Sequence, residues 1–405
     1  MELKKYKLGD IAKIEISGVD KKSVDGETPV RLCNFVDVYR NWAITQKLSE
    51  NFMIASAKET EIAKCSIHKG QVAITKDSET RDDIGIPAYI ADDFDNVLLG
   101  YHCALITPND DVLDGKYLNA FMHTRYIQKY FENNASGSGQ RYTLSNETIF
   151  QIPILLPSLE VQKAIGNLLS NIDRKIELNH QINDNLEKMA KQLYDYWFVQ
   201  FDFPNENGRP YKSSGGAMVW NEKLKREIPK EWDNCTLEYY LIIKNGRDHK
   251  HLGNGIYPVY GSGGEIRKVD SFIYSGESIL MPRKGSLNNI MYVNDAFWSV
   301  DTMFYSEMKQ PHCAKYVFYS IKDIDFTRWD SGTGVPSMTS STLYSILLVK
   351  PDADSLAKFD EIITPLFLMI KKNEMQIVEL TKQRDDLLPL LMNGQASVNY
   401  HLSHD

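Results

Sequence analysis

The chain has no apolar run approaching the ~20 residues that span a bilayer. Its first residues, MELKKYKLGD, hold no apolar core of a secretory signal. No membrane association is expected, and the cytoplasm is the expected compartment. Only five cysteines occur in 405 residues, Cys33, Cys65, Cys103, Cys235 and Cys313, none of them in a CxxC pair. Their odd count and wide spacing argue against a disulfide framework or a zinc site and suit reduced thiols, so no metal is expected. A polybasic arm is missing too. With 46 Lys and Arg against 54 Asp and Glu, the net charge is −8, so any contact with nucleic acid must come from a local face.

Catalytic patterns are equally scarce. There is no GxxxxGK[ST], and GSGG at 261–264 lacks the lysine and the strand–helix setting of a phosphate loop. No HExxH is present, and His249 and His251 read as surface histidines. No [DN]PP[YFW] of adenine methyltransferases occurs; DFPN at 202–205 only shares letters with it. The acidic run TKDSETRDD (75–83) reads as a solvated loop rather than a nuclease site. No catalytic residue is expected, and the function is to be sought in recognition.

What the chain does have is a long seam. Ile165, Leu169, Ile172, Ile176, Asn179, Asn183, Leu186, Ala190, Leu193 and Trp197 follow one another by alternating fours and threes, with no proline or glycine after Gly166. That is the a/d pattern of a coiled-coil helix. Over residues 157–201, at ~1.5 Å per residue, it is roughly 60 Å long, a strut rather than a core element. The seam returns 194 positions later as Phe359, Ile363, Leu366, Ile370, Asn373, Ile377, Leu380, Arg384, Leu387 and Leu391, with Pro157 mapping to Pro351. Pro365 should kink this second helix or delay its start, and Pro389 falls near its end. If the two seams run antiparallel and cross near Gln181 and Met375, Asn183 faces Asn373. A buried Asn pair of that kind fixes register. Off the seam, Tyr194, Tyr196 and Phe198 suit either a protein interface or packing against a body.

Each strut follows a globular body. Residues 1–156 read as mixed α/β, with strands at QVAIT (71–75), PAYI (87–90) and HCALI (102–106), a helix over Lys116–Phe131, the loop ASGSGQRYTLS (135–145) and a buried strand in IFQIPILLP. Residues 202–231, rich in Pro, Gly, Asn and Ser, read as a connector outside the core. The second body, 232–350, repeats the same order of features. GESILMPRKGS (276–286) stands for GQVAITKDS (70–78), Lys315-Tyr316 for Lys116-Tyr117, SGTGVPSMTSS (331–341) for SGSGQRYTLS, and YSILLVKP (344–351) for FQIPILLP. The second strut covers 351–393 and a frayed tail 394–405. The chain is a duplication of body plus helix.

Both bodies carry basic and amide side chains in glycine-flanked loops. In the first these are Arg31, Arg40, Lys69, Lys76, Arg81, Gln140, Arg141 and Tyr142. In the second they are Lys244, Arg247, Lys250, Arg267, Lys268, Arg283, Lys284 and Asn288. Arg and Lys can read guanine edges, Asn and Gln adenine edges, and the remainder can hold phosphates. Together they are the candidate DNA-binding set, and Asn179, Asn183 and Asn373 the candidate seam polar residues.

On the duplicated order and on LPSLEVQKAIGNLLSNIDRKIELN (156–179), GRPYKSSGG (208–216), IPKEW (228–232), PVYGSGG (258–264) and the run Ile370–Gly394, the chain resembles the specificity subunit of type I restriction–modification systems. The resemblance implies an α+β fold: two mixed α/β target-recognition domains joined by two long antiparallel coiled-coil helices, duplicated about a pseudo-twofold. It implies a non-catalytic clamp in which each domain reads one half of a bipartite, asymmetric site on double-stranded DNA, the helices setting the gap. The implied partners are modification (methyltransferase) subunits, which use S-adenosylmethionine to methylate adenine, and restriction subunits, which are ATP-driven translocases and nucleases. S-adenosylmethionine, ATP and Mg2+ would sit on those partners and no cofactor on this chain. The alternatives are the specificity subunit of another methylation or cleavage system, or an adaptor that binds no DNA. The second body is shorter than the first, and the two differ outside the framing motifs, so the target is not legible.

Overall fold

A computed structural model describes residues 3–139, 141–329 and 336–398. Its contacts divide the chain into two units, Met1–His180 with Glu374–Asp405, and Gln181–Asn373. Each unit therefore holds one body and a length of each long helix. No helix among the described residues is long and apolar enough to cross a membrane.

The first unit is built on a five-stranded sheet. Its strands are β1 (Ala12–Ile16), β2 (Ala43–Ile44), β3 (Val72–Thr75), β4 (Pro87–Ile90) and β5 (Cys103–Pro108), in the order β1-β5-β3-β4-β2. All neighbours are antiparallel except β4 and β2. The apolar run in β3 reflects burial on both faces. Val72 and Ile74 face a core with Tyr117, Leu118, Phe121 and Phe131, whereas Ala73 faces Val38, Ile44, Phe52 and Ile67. The second unit repeats the plan with β6 (Leu241–Asn245), β7 (Asn254–Gly261), β8 (Gly264–Val269), β9 (Tyr274–Pro282), β10 (Met291–Ser299) and β11 (Met303–Met308), ordered β6-β11-β9-β10-β7-β8. The fourth and fifth strands are again the one parallel pair. In both units a buried tyrosine ties a helix to the strand that leads into the strut. Tyr117 Oη donates to Leu155 O at 2.7 Å, and Tyr316 Oη donates to Val349 O.

The struts are α1 (Leu159–Tyr194) and α2 (Ala353–Met392). In the first unit Gln162 anchors α1, donating to Val112 O and Pro157 O and accepting from Asp114 N, all at 3.0 Å. Gly166 allows close approach there, because a Cβ would stand 2.8 Å from Asp114 Oδ1, Lys116 Cβ and Tyr117 N. In the second unit Asp352 accepts from Ser355 N and Trp232 Nε1 at 2.8 Å and so fixes the start of α2.

Within each unit the two helix segments run antiparallel. In the first, Ile165 and Leu169 share a core with Leu388 and Leu391, and Asn179 Nδ2 donates to Gln376 Oε1 at 3.3 Å. In the second, Asn373 Nδ2 donates to Asn183 Oδ1 at 2.8 Å, while Trp197 and Phe198 pack on Phe359. The arginine at seam position 384 lies over the Trp42 ring at 4.6 Å, with Nη1 3.4 Å from Asp173 Oδ1. Burial pushes the Asp173 carboxyl up to about 6 in spite of that guanidinium. Asn373→Leu alone strands the Asn183 Oδ1 atom and is expected to cost about 1–3 kcal/mol. The double change to leucine should recover or exceed the wild-type melting temperature while loosening register. Thermal denaturation of the single and double variants checks this.

Several local expectations are corrected. The helix expected over 116–131 is two, Gly115–Met122 and Arg125–Asn134. The break follows from tertiary contacts, His123 stacking on Trp42 at 4.1 Å and Thr124 Oγ1 donating to Phe121 O. Helix α2 runs unbroken through Pro365 and Pro389, since each lost hydrogen bond is outweighed by burial beside it, of Phe359 and Ile363 at the first and of Leu388 and Leu391 at the second. In IFQIPILLP only Pro153–Leu156 is strand; Ile149 and Phe150 end a short helix. Residues 202–231 fold a hairpin, Met218–Asn221 with Arg226–Pro229, and bury Phe203 and Ile228 in the core around Trp232. Tyr194 and Phe198 also pack in that core. Past Tyr194 the helix widens into a π-turn, Asp195–Val199, which lets the neighbours Trp197 and Phe198 both turn inward.

Candidate nucleic-acid interface

In the first unit, β3 is forced outward where it ends. Thr75 is fully buried, with O accepting from Gly85 N at 3.1 Å and Oγ1 from Ile86 N at 2.9 Å, so residues 76–84 loop out and return. The backbone leaving Thr75 stays paired on both sides. Lys76 N donates to His102 O at 2.7 Å and Leu144 N to Lys76 O at 2.8 Å. Asp77 and Ser78 then pair with Thr143 and Tyr142, making a three-stranded ribbon with the hairpin strands Ser136–Ser138 and Arg141–Thr143.

Side chains converge on this ribbon. Arg81 lies over the Tyr142 ring at 5.1 Å, Lys76 Nζ is 3.8 Å from Asp77 Oδ1, and Arg141 Nη2 is 3.9 Å from Asp77 Oδ2. The His102 Nδ1 atom hydrogen-bonds Asp77 Oδ2 as well. Burial opposes the charged form of Asp77. Hydrogen bonds from Thr143 and His102, with the Lys76 ammonium, outweigh it and hold the carboxyl below its ordinary value. The ribbon borders an open cavity of about 540 Å3 lined by Phe35, Tyr39, Asp77, Asp83, His102 and Arg141 among others.

The second unit makes the same exit. Arg283 N donates to Thr302 O at 2.8 Å, Met338 N to Arg283 O at 2.9 Å, and Lys284 bridges Ser337. Arg283 lies over Phe304 at 5.9 Å. Both units thus end a central strand in a basic residue, the half-buried Lys76 and the exposed Arg283, pinned by a returning loop. Such a strand end can offer cations to phosphates and hydrogen-bonding groups to base edges.

Residues 1–188 match the family model of the type I restriction modification DNA specificity domain. By this match the first body and most of α1 are similar to that specificity domain. It is 26% identical to the type I restriction enzyme MjaIX specificity subunit of Methanocaldococcus jannaschii over 378 residues, 84% of this chain and 81% of that protein. Over 141 residues it is 31% identical to the HindI specificity subunit of Haemophilus influenzae, 35% of this chain and 30% of that one. In fold it is similar to the type I restriction-modification S subunit from M. genitalium, with a TM-score of 0.62, 16% identity and 96% of each chain covered.

On this fold the candidate residues separate. Lys76, Arg81, Arg141 and Tyr142 come together at the ribbon. Arg40 ends the helix Phe35–Arg40, whose Phe35 and Tyr39 line the cavity. Arg31 donates Nη1 to Ser49 O at 3.0 Å and Glu50 O at 2.6 Å. Lys69 precedes β3 at its opposite end, where its backbone N donates to Asp93 Oδ1 at 3.1 Å. Gln140 lies outside the described residues. In the second unit Arg283 and Lys284 occupy the strand exit, and Lys244 and Arg247 lie at or just past the neighbouring end of β6. Lys244 Nζ is 3.7 Å from Glu307 Oε1. Lys250 and Lys268 are exposed on the β7–β8 side. Arg267 pins a loop by donating to His249 O at 2.7 Å and Leu252 O at 2.9 Å. Asn288 donates to Asp325 Oδ1 at 3.2 Å and accepts from Phe326 N at 2.8 Å.

Sequence reasoning passed over Asp77, His102, Phe35 and Tyr39. TKDSETRDD is no simple solvated loop, because the Asp77 side chain is only 13% exposed and Asp83 accepts from Tyr39 Oη at 2.9 Å. The sequence held no signal for them: QVAITKDS is an apolar run followed by a polar one, with no alternation to mark Asp77 as half-buried. Among the described residues no group of His, Cys, Asp and Glu is arranged to hold a metal ion.

Proposed function

We propose that this chain is the DNA-reading subunit of a type I restriction–modification complex. Each body reads one half of a bipartite, asymmetric site on double-stranded DNA. The carrying observation is the repeated strand exit: Lys76 and Arg283 occupy equivalent places, each pinned by a returning loop and flanked by further cations. Its local character suits a chain of net charge −8.

Catalysis belongs to partner subunits in this reading. Modification subunits carry S-adenosylmethionine, and restriction subunits carry ATP and Mg2+, all in the cytoplasm. Docking on the helices is supported by apolar side chains left exposed along them, Leu178, Met375 and Val378 in the first unit and Met189, Leu368 and Met369 in the second. The test is to co-express the chain with its genomic neighbours and map adenine methylation by single-molecule sequencing. The expected result is a split motif that appears only when this chain is present. Methylation of an unsplit motif, or methylation indifferent to this chain, overturns the proposal.

A further inference from the structure

We propose that Arg141 reads the guanine of a G·C base pair in the half-site of the first unit, with Asp77 as the positioning residue that aims it. The inference rests on the DNA-reading role above and names the base and the residue that it leaves open.

Three observations lead to it. First, the Arg141 side chain is 70% exposed, yet one end lies beside an anion, with Nη2 3.9 Å from the Asp77 Oδ2 that His102 Nδ1 also bonds. An ion pair that exposed contributes little to stability, so the fold does not account for the arrangement. Its other N–H groups have no partner among the described residues, and the exposure of the side chain leaves them open to a ligand. A guanidinium steadied at one edge offers two parallel donors, matching the O6 and N7 acceptors of guanine. Second, the backbone beneath is paired. Arg141 pairs with Ser138, and the next residue, Tyr142, pairs with both Gly137 and Ser78 in the ribbon. A base contact needs a fixed Cα, whereas a phosphate contact tolerates a flexible one.

Third, the charge of the cavity selects against phosphate. Asp77, Glu79 and Asp83 line the space that Arg141 borders. Lys76 Nζ, 3.8 Å from Asp77 Oδ1, offsets one of these carboxylates; beside the others Arg141 holds a phosphodiester less well than a base edge, which carries no net charge. The same carboxylates can accept from the N4 amino group of the paired cytosine. Arg81, stacked on Tyr142 at 5.1 Å, flanks the ribbon without such a carboxylate brace and is the better placed of the two to hold the backbone.

The test uses the chain assembled with its modification subunits and a panel of duplexes in which each base pair of the wild-type motif is replaced in turn. Arg141→Ala and Arg141→Lys are expected to lose discrimination at one G·C position of one half-site, on the order of tenfold to a hundredfold, with the other half-site unchanged. The lysine variant keeps the charge but not the fork, so it should fail as the alanine variant does. Asp77→Asn should relax the same position and no other. Uniform weakening across all duplexes, with a salt slope shallower by about one, would mark a phosphate contact and overturn the assignment. Unchanged specificity in both Arg141 variants overturns it equally. A wild-type complex without any motif instead overturns the DNA-reading role, and the assignment falls with it.

Discussion

Phe359→Ala is expected to destabilise the second unit by about 3–5 kcal/mol, the range for emptying a large buried aromatic site. Phe359 is fully buried and lies edge-on to Phe198 at 4.8 Å, with Trp197 at 5.7 Å and Tyr194 at 6.5 Å. Those rings come from the end of α1, whereas Phe359 comes from α2, so the site joins both helix segments to the body that they carry. The cavity left by truncation cannot collapse easily, because the three rings are also packed on Tyr316, Tyr319 and Phe203. Urea denaturation followed by the emission of the buried Trp197 and Trp232 measures the loss. A change within about 0.5 kcal/mol, the ordinary surface value, would contradict the packing described.

The second large effect is electrostatic. Lys315 is 4% exposed, with Nζ 2.7 Å from Glu277 Oε1 and 2.8 Å from Asp360 Oδ1. Lys315→Met removes the shared cation and leaves two carboxylates facing each other. Breaking a buried pair costs about 3–5 kcal/mol, but both acids keep some solvent, so about 2–3 kcal/mol is expected at neutral pH. The pH dependence has a definite sign. Burial raises the Asp360 carboxyl, and hydrogen bonds from Lys315 and His312 more than reverse this, so its pKa is lowered in the folded chain. A lowered carboxylate pKa contributes stability that is fully present above the unfolded value near 3.9 and is lost as pH falls through the folded one. The variant lacks most of that contribution. The gap between variant and wild type should therefore be full at pH 7 and narrow below about pH 4. Melting curves across that range decide it, and a gap independent of pH would place the loss in packing instead.

The features legible in the sequence were those with long periods. Two seams spaced by threes and fours became α1 and α2 because a helix buries one face whatever its loops do. The order of motifs in the two bodies likewise matches the order of strands in the two sheets. Short-range readings fared worse where tertiary contacts decide. In AFMHTRY the one local mark of the stop at His123 is Thr124, whose Oγ1 donates to Phe121 O; the stacking partner of His123 is a tryptophan far back in the chain. The composition of 202–231 hid Phe203, whose burial depends on Trp232 and Tyr211 stacked on it at 4.6 Å and 4.8 Å. At the interface the residue types were legible but not their commitments. Arg31 and Arg267 are written like Arg141 and are turned to backbone carbonyls instead.

Gly166 has a consequence for the history of the chain. Its counterpart 194 positions on is Asp360. One copy closes the joint between strut and body by bringing bare backbone against Lys116 and Tyr117; the other closes it with the Asp360–Lys315 ion pair. The two solutions are not exchangeable. An aspartate at 166 would drive its side chain into the Asp114 carboxylate, and a glycine at 360 would strip Lys315 of a counterion. Gene conversion, which homogenises duplicated sequence, would damage the joint in either direction. A segment copied from one half onto the other across this joint is therefore expected to destabilise the fold.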